Sequence, residues 1–203
     1  MAQSALSRVA GPFALSAGGL FIAAQILLFA TLEPANKLAT VHKPLFAVAQ
    51  VGYFLGFCML LLALFAAYEW ESHRAGTFGV IAFCAAVVGT MFLAGDLWFD
   101  TFAGPWIVTA APDVADSPTG SVVTGAFVSY ALFAIGWVLF GLASLQARVF
   151  PRLISVAIMV GGAVGFLALL PPFGIPLGLA MIALGTWMVR AAAPRTAGGP
   201  VTA

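Results

Sequence analysis

The sequence predicts an all-α polytopic membrane protein, and three observations carry that prediction. Hydrophobic residues make up 63% of the 203 positions, against roughly 45–50% in a soluble domain, and mean hydropathy is +1.09. Only 7% of residues are charged, and most of them fall between apolar runs rather than inside them. The runs are about 20 residues long, the length at which a helix crosses the hydrocarbon core of a bilayer.

Six spans follow in order, at roughly 11–31, 45–68, 77–101, 122–147, 152–170 and 172–191. The first is preceded by Arg8 and exceeds the roughly 7–15 apolar residues of a signal-peptide core, so it reads as a retained helix. Spans two and three are joined by the polar turn Glu69–Arg74, and spans four and five by Gln146–Arg152. The two hairpins are faintly alike, as a parallel duplication would make them. The last two spans are separated by Leu170-Pro-Pro-Phe-Gly-Ile-Pro176, where the prolines forbid a continuous helix and Gly174 permits a sharp turn. Glycine pairs at i and i+4 (Gly52 with Gly56, Gly161 with Gly165, Gly174 with Gly178) read as close helix-packing positions. Residues 1–191 form the transmembrane domain, and the Ala-, Gly- and Pro-rich run 192–203 reads as a disordered tail.

Loop cations set the orientation. Arg8, Arg74, Arg148, Arg152, Arg190 and Arg195 fall on one side and only Lys37 and Lys43 on the other, which puts both termini in the cytoplasm. The long connection 103–121, between helices three and four, is then external. It carries Asp113 and Asp116 without a Lys or Arg. Its Gly104-Pro105-Trp106-Ile107-Val108 portion is too apolar for a fully solvated loop, so a lid resting on the bundle mouth is expected, with Trp106 an interfacial anchor beside Trp98. Tyr68, Trp70 and Trp187 fit the opposite aromatic belt, and Trp137 lies deeper.

Polar residues inside the spans are few. Gln25, Gln50, Tyr53 and Tyr130 all lie roughly 8–13 Å below the outer edge at about 1.5 Å per residue, and Asp96 falls near the same level. Asp96 and Asp100 are four apart and share a helix face, with Asp100 nearer the exit. An acid at bilayer depth must find a partner, water or a proton, which makes Asp96 the leading candidate as a general acid. Gln25, Gln50, Tyr53, Trp98, Asp100, Trp106 and Tyr130 are the candidate ligand contacts of a pocket that opens outward. The alternative is that the polar side chains hydrogen-bond one another and hold the helices in register. Glu33, Lys37, His42 and Lys43 line the first external connection and can reach the same mouth, or serve as surface charges.

Much chemistry is excluded by missing parts. The sequence has no G-x-S-x-G elbow, H-E-x-x-H pair, P-loop or C-x-x-C pair, and no lysine within a span for a Schiff base. No cofactor and no metal are expected. A formal net charge of +1 with 8 Lys and Arg leaves no basic surface for nucleic acid. The lipid bilayer is the partner the composition demands.

The segments Gly89-Thr-Met-Phe-Leu-Ala-Gly-Asp-Leu-Trp-Phe99, Gly104-Pro-Trp106 and Gly136-Trp-Val-Leu-Phe-Gly141 resemble those of small six-span bacterial membrane proteins grouped as domains of unknown function. That resemblance implies the fold and a bacterial inner-membrane location, without an activity. The chain is more loosely similar to integral-membrane terpene cyclases, compact helical bundles whose buried acids protonate an isoprenoid. A second buried acid from another span does not align, unless Glu69 or Glu33 reaches inward. The function expected is therefore binding of a small, largely apolar lipid- or isoprenoid-like molecule, with whether the protein also acts on it left open by the sequence. The alternative is a non-enzymatic accessory or transporter-like subunit whose polar groups are structural.

Overall fold

The computed structural model describes residues 5–116, 119–168 and 170–192, and every regular element among them is helical. Arg195, Ser117 and the tail from 193 onward lie outside the described residues, as does the side chain of Arg8. The helices are α1 (Ala5–Thr31), α2 (Lys37–Val41), α3 (Pro44–Phe102), α4 (Gly104–Ala110), α5 (Pro112–Asp116), α6 (Gly120–Ala147), α7 (Arg152–Val164) and α8 (Ile175–Ala192), with a 3₁₀ turn over Gly165–Leu167. Four of them, α1, α3, α6 and α8, are long and apolar enough to cross a membrane, and α7 with its 3₁₀ turn is shorter.

Helix α3 is two helices in series. At 59 residues a straight α3 would run about 90 Å at 1.5 Å per residue, roughly three times the thickness of the hydrocarbon. It is broken at Gly76, whose φ of 58° and ψ of −163° lie where a Cβ is sterically disfavoured. Phe65 and Tyr68 before the break both meet Phe83 after it, and Phe54 meets Phe102, so the two halves run antiparallel. The polar stretch Glu69–Arg74, expected as the turn, is instead a continuation of the first half. Its polarity marks where the helix leaves apolar surroundings, whereas reversal needs a residue free to adopt positive φ, and Gly76 supplies it.

The helical segments close into a ring. Helix α1 packs on the first half of α3 and on α8, α3 on α6, α6 on α7, and α7 on α8. Small residues set these approaches. A Cβ on Gly89 would strike the Leu132 carbonyl, and one on Gly136 the Ala85 carbonyl, so α3 and α6 touch backbone to backbone. Gly18 and Gly178 do the same for α1 and α8, and Gly161 abuts the Leu177 backbone between α7 and α8. Gly52, expected as a packing position, has open space where its Cβ would stand.

An aromatic column fills the ring. Phe21, Tyr53, Phe57, Phe133, Trp137 and Phe140 are each at most 2% exposed and in successive edge or tilted contacts. The Trp137 indole Nε1–H donates to Thr90 Oγ1 at 3.0 Å, and Thr90 donates on to the Ala86 carbonyl at 2.7 Å. Trp137 thus ties α6 to α3 as a fully satisfied core residue. Outward, the surface is apolar: Phe29, Ile81, Phe127 and Leu153 are 71, 58, 60 and 80% exposed. An exterior of this kind is unfavourable in water and matches lipid contact.

The described part of the 103–121 connection before residue 117 is largely helical, as α4 and α5. Pro105 sits in the first turn of α4, where a missing N–H costs nothing, and Thr109 donates back to the Pro105 carbonyl at 2.9 Å. Helix α5 is clamped from across the bundle mouth. Lys37 Nζ lies 3.0 Å from Asp116 and donates to the Ala115 carbonyl at 2.8 Å.

Candidate functional site

Residues from four elements meet at the end of the bundle that carries α2. The 3₁₀ turn and the prolines of Pro171-Pro172 interrupt the chain between α7 and α8, leaving backbone groups without helical partners, and Gln25 and Tyr53 supply them. Gln25 Nε2 donates to the Ala168 carbonyl at 2.9 Å, the Tyr53 hydroxyl donates to the same oxygen at 3.0 Å, and the Gly174 N–H donates to Gln25 Oε1 at 3.4 Å. Gln25 is fully buried. A Cβ on Gly174 would stand 2.8 Å from both the Gln25 Cδ and the Tyr53 hydroxyl, so only glycine lets this turn rest on them. Gln25 thus pins the α7–α8 turn to α1, with its amide oxygen and nitrogen both engaged.

Beside this node lies a cavity of about 390 Å³, within the roughly 300–1,000 Å³ range of small-molecule sites. Leu28, Leu32, Phe46, Leu97, Val108, Pro105 and Pro171 make its walls apolar, and Glu33, Lys37, Thr40, Gln50, Tyr53 and Asp100 supply the polar groups. Of the residues expected at the site, Gln50, Tyr53 and Asp100 line the cavity. Gln25 sits behind Tyr53. Asp96, one turn further into the bundle than Asp100, is half-buried and is not in the wall. The Trp98 and Trp106 side chains are 52 and 69% exposed and also outside the lining. It is Gly104, Pro105 and Val108 of α4 that face the cavity. Tyr130 is buried with its hydroxyl unpartnered, in the electrostatic field of Tyr53, Asp96 and Asp100.

The charges around the mouth pair with one another. Lys43 Nζ bridges Glu33 and donates to the Thr31 carbonyl at 2.9 Å, fastening the end of α1 to the start of α3. With Lys37 held by Asp116, both lysines of this end are engaged, while neither Asp96 nor Asp100 has a hydrogen bond or ion pair among the described residues.

Sequence reasoning missed three contributors. Ala168 and Gly174 act through their backbones, which no side-chain pattern reports. Thr40 joins the wall because its hydroxyl accepts from the Glu33 N–H at 2.9 Å, folding the 32–43 connection over the mouth; only its position among apolar neighbours hints at this. At the far end, Glu71 is completely buried, and the Ser144 hydroxyl faces its carboxyl outside ordinary hydrogen-bond geometry. Its neighbours Glu69, Ser72, His73 and Arg74 made it look like part of a solvated turn.

Fold and site together define an apolar helical bundle, with four helices able to cross a membrane, enclosing a cavity at one end. No protein-family model matches the sequence, and no curated protein or solved structure matches it.

Proposed function

We propose that this chain is a six-crossing plasma-membrane protein whose cavity binds a small, largely apolar molecule through a few polar contacts. The observation that carries the reading is the cavity itself. Its wall is mostly apolar, yet Gln50, Tyr53 and Asp100, from both halves of α3, converge on it. The six crossings rest on the antiparallel halves of α3 and on α7 with its 3₁₀ turn serving as the short fifth span. Arg74, Arg148, Arg152 and Arg190 are exposed at one end and Lys37 and Lys43 lie at the other, which supports a cytoplasmic Arg end and an outward-facing cavity.

Of the two acids, Asp100 is the one that lines the cavity, so any acid catalysis on a bound molecule falls to Asp100 rather than Asp96. For Gln25 the structural reading is favoured, because its amide is already committed to Ala168 and Gly174.

The test is extraction and mass spectrometry of the protein purified in native lipid discs, beside a Val108→Trp variant that fills the cavity. A defined small apolar species should accompany the wild type in stoichiometric amount and be depleted in the variant. Equal recovery of every species from both would refute the reading. Orientation is tested separately by labelling His73→Cys and Asp113→Cys in a background lacking Cys58 and Cys84; an impermeant reagent should reach only position 113 in intact cells.

A further inference from the structure

We infer that the molecule this cavity takes is a lipophilic cation, an apolar body bearing one ammonium group, with Asp100 as its counter-charge. The inference rests on the binding reading above and adds the charge of the ligand to it.

The first argument is a charge census of the mouth. Among the described residues, Glu33, Asp96, Asp100, Asp113 and Asp116 share this end with Lys37 and Lys43, five acids against two cations, and the exposed His42 and the phenols Tyr53 and Tyr130 are the other titratable side chains there. Both lysines are engaged, by Asp116 and by Glu33. Of the two carboxylates that line the cavity, Glu33 is paired with Lys43 and Asp100 is left without a counter-ion among the described residues. A site with excess charge of one sign and low-dielectric walls concentrates ligands of the opposite sign.

The second argument is the direction of the hydrogen bonds in the wall. The Tyr53 proton is committed to the Ala168 carbonyl, so its oxygen can only accept from a ligand. The Thr40 hydroxyl lies within bonding distance of the Glu33 and Asn36 carbonyls at 3.3 and 3.2 Å, and its proton is likewise taken up locally. Gln50, only 8% exposed and in the wall, has no side-chain hydrogen bond among the described residues, which leaves its amide oxygen as a further acceptor beside its own two N–H donors. With the Asp100 carboxylate, these oxygens make acceptors predominate in the wall beside the N–H donors of Gln50 and the engaged Lys37, and an ammonium is a group with donors alone.

The alternatives fit less well. A neutral apolar ligand would displace water from Asp100 and leave it buried and unpaired, which is costly. A carboxylate or phosphate would add repulsion to that cost. An ammonium meets Asp100 directly, and its apolar body meets Leu28, Phe46 and Leu97 in the same wall.

The experiment uses three probes with one tail and different heads, decylammonium, decanol and decanoate, titrated into the full-length protein in zwitterionic nanodiscs and corrected with empty discs. Decylammonium should bind the wild type roughly tenfold or more tightly than decanol, the scale set by one hydrogen bond to a charged group, with decanoate weakest. Asp100→Asn should reduce decylammonium to the affinity of decanol and leave decanol unchanged, and Asp100→Glu should restore part of the difference. Should Asp100→Asn fail to fold, the ranking of the three heads on the wild type decides alone. Equal binding of decanol and decylammonium, both abolished by Val108→Trp, would overturn the cationic ligand while preserving the binding site. Preferred binding of decanoate would overturn it as well. Failure of all three to bind would remove the binding reading itself, and this inference with it.

Discussion

The node at Ala168 allows a double-mutant cycle whose sign can be worked out in advance. Two donors, Gln25 Nε2 and the Tyr53 hydroxyl, share one carbonyl oxygen on a residue that is 3% exposed. Tyr53→Phe removes one donor and keeps the ring against Phe21 and Phe57, whose centroids each lie 5.3 Å away. Because Gln25 still satisfies the carbonyl, the loss should be only about 0.5–1.5 kcal/mol. Gln25→Leu removes the other donor and also deprives the Gly174 N–H of its acceptor, so it should cost more, about 1–3 kcal/mol. In the double variant the buried Ala168 carbonyl loses both of its side-chain donors. The combined loss should exceed the sum of the singles by about 1 kcal/mol, a coupling typical of residues sharing one network. Reversible unfolding in mixed micelles, with the denaturing detergent fraction as the variable, measures all four corners. Additivity within about 0.3–0.5 kcal/mol would show that the carbonyl finds another partner and that the node does not hold the α7–α8 turn.

Three further outcomes test other parts of the structure. Gly76→Ala should destabilise by about 1–3 kcal/mol, since alanine must adopt the glycine conformation between the halves of α3; the same unfolding measurement reads it, and a silent substitution would place the reversal elsewhere. Glu71→Gln should raise the melting temperature in detergent, because the amide cannot ionise in a buried site where only the Ser144 hydroxyl faces the carboxyl; a large fall would reveal an ionic partner. Asp96→Asn should leave retention of the copurifying molecule within about twofold of wild type, as a residue outside the wall contributes little direct contact energy, whereas a collapse matching that of Asp100→Asn would restore Asp96 to the centre of the site.

Composition and periodicity by themselves determined that the chain is helical and apolar outside, because every lipid-facing side chain must be hydrophobic and every backbone group must bond within its own helix. They also singled out Gln25, Gln50, Tyr53, Asp96, Asp100 and Tyr130, since polar residues are conspicuous against such a background. What they could not assign was the partner of each. Asp96 and Asp100 share a face by spacing alone, yet only the packing of α4 and of the 32–43 connection puts Asp100 in the cavity wall and leaves Asp96 outside it. Gln25 and Gln50 read alike in the sequence. One is spent on the Ala168 carbonyl and the Gly174 N–H, and the other is left open toward the cavity, because the broken backbone between α7 and α8 lies against α1 and not against Gln50. Trp106 looked like a lid anchor from its chemistry, but the start of α4 at Gly104 turns its indole out and Val108 in. Hydrogen bonds to the main chain and the rotation of a short helix depend on where distant segments come to rest, and that information exists only once the ring of helices has closed.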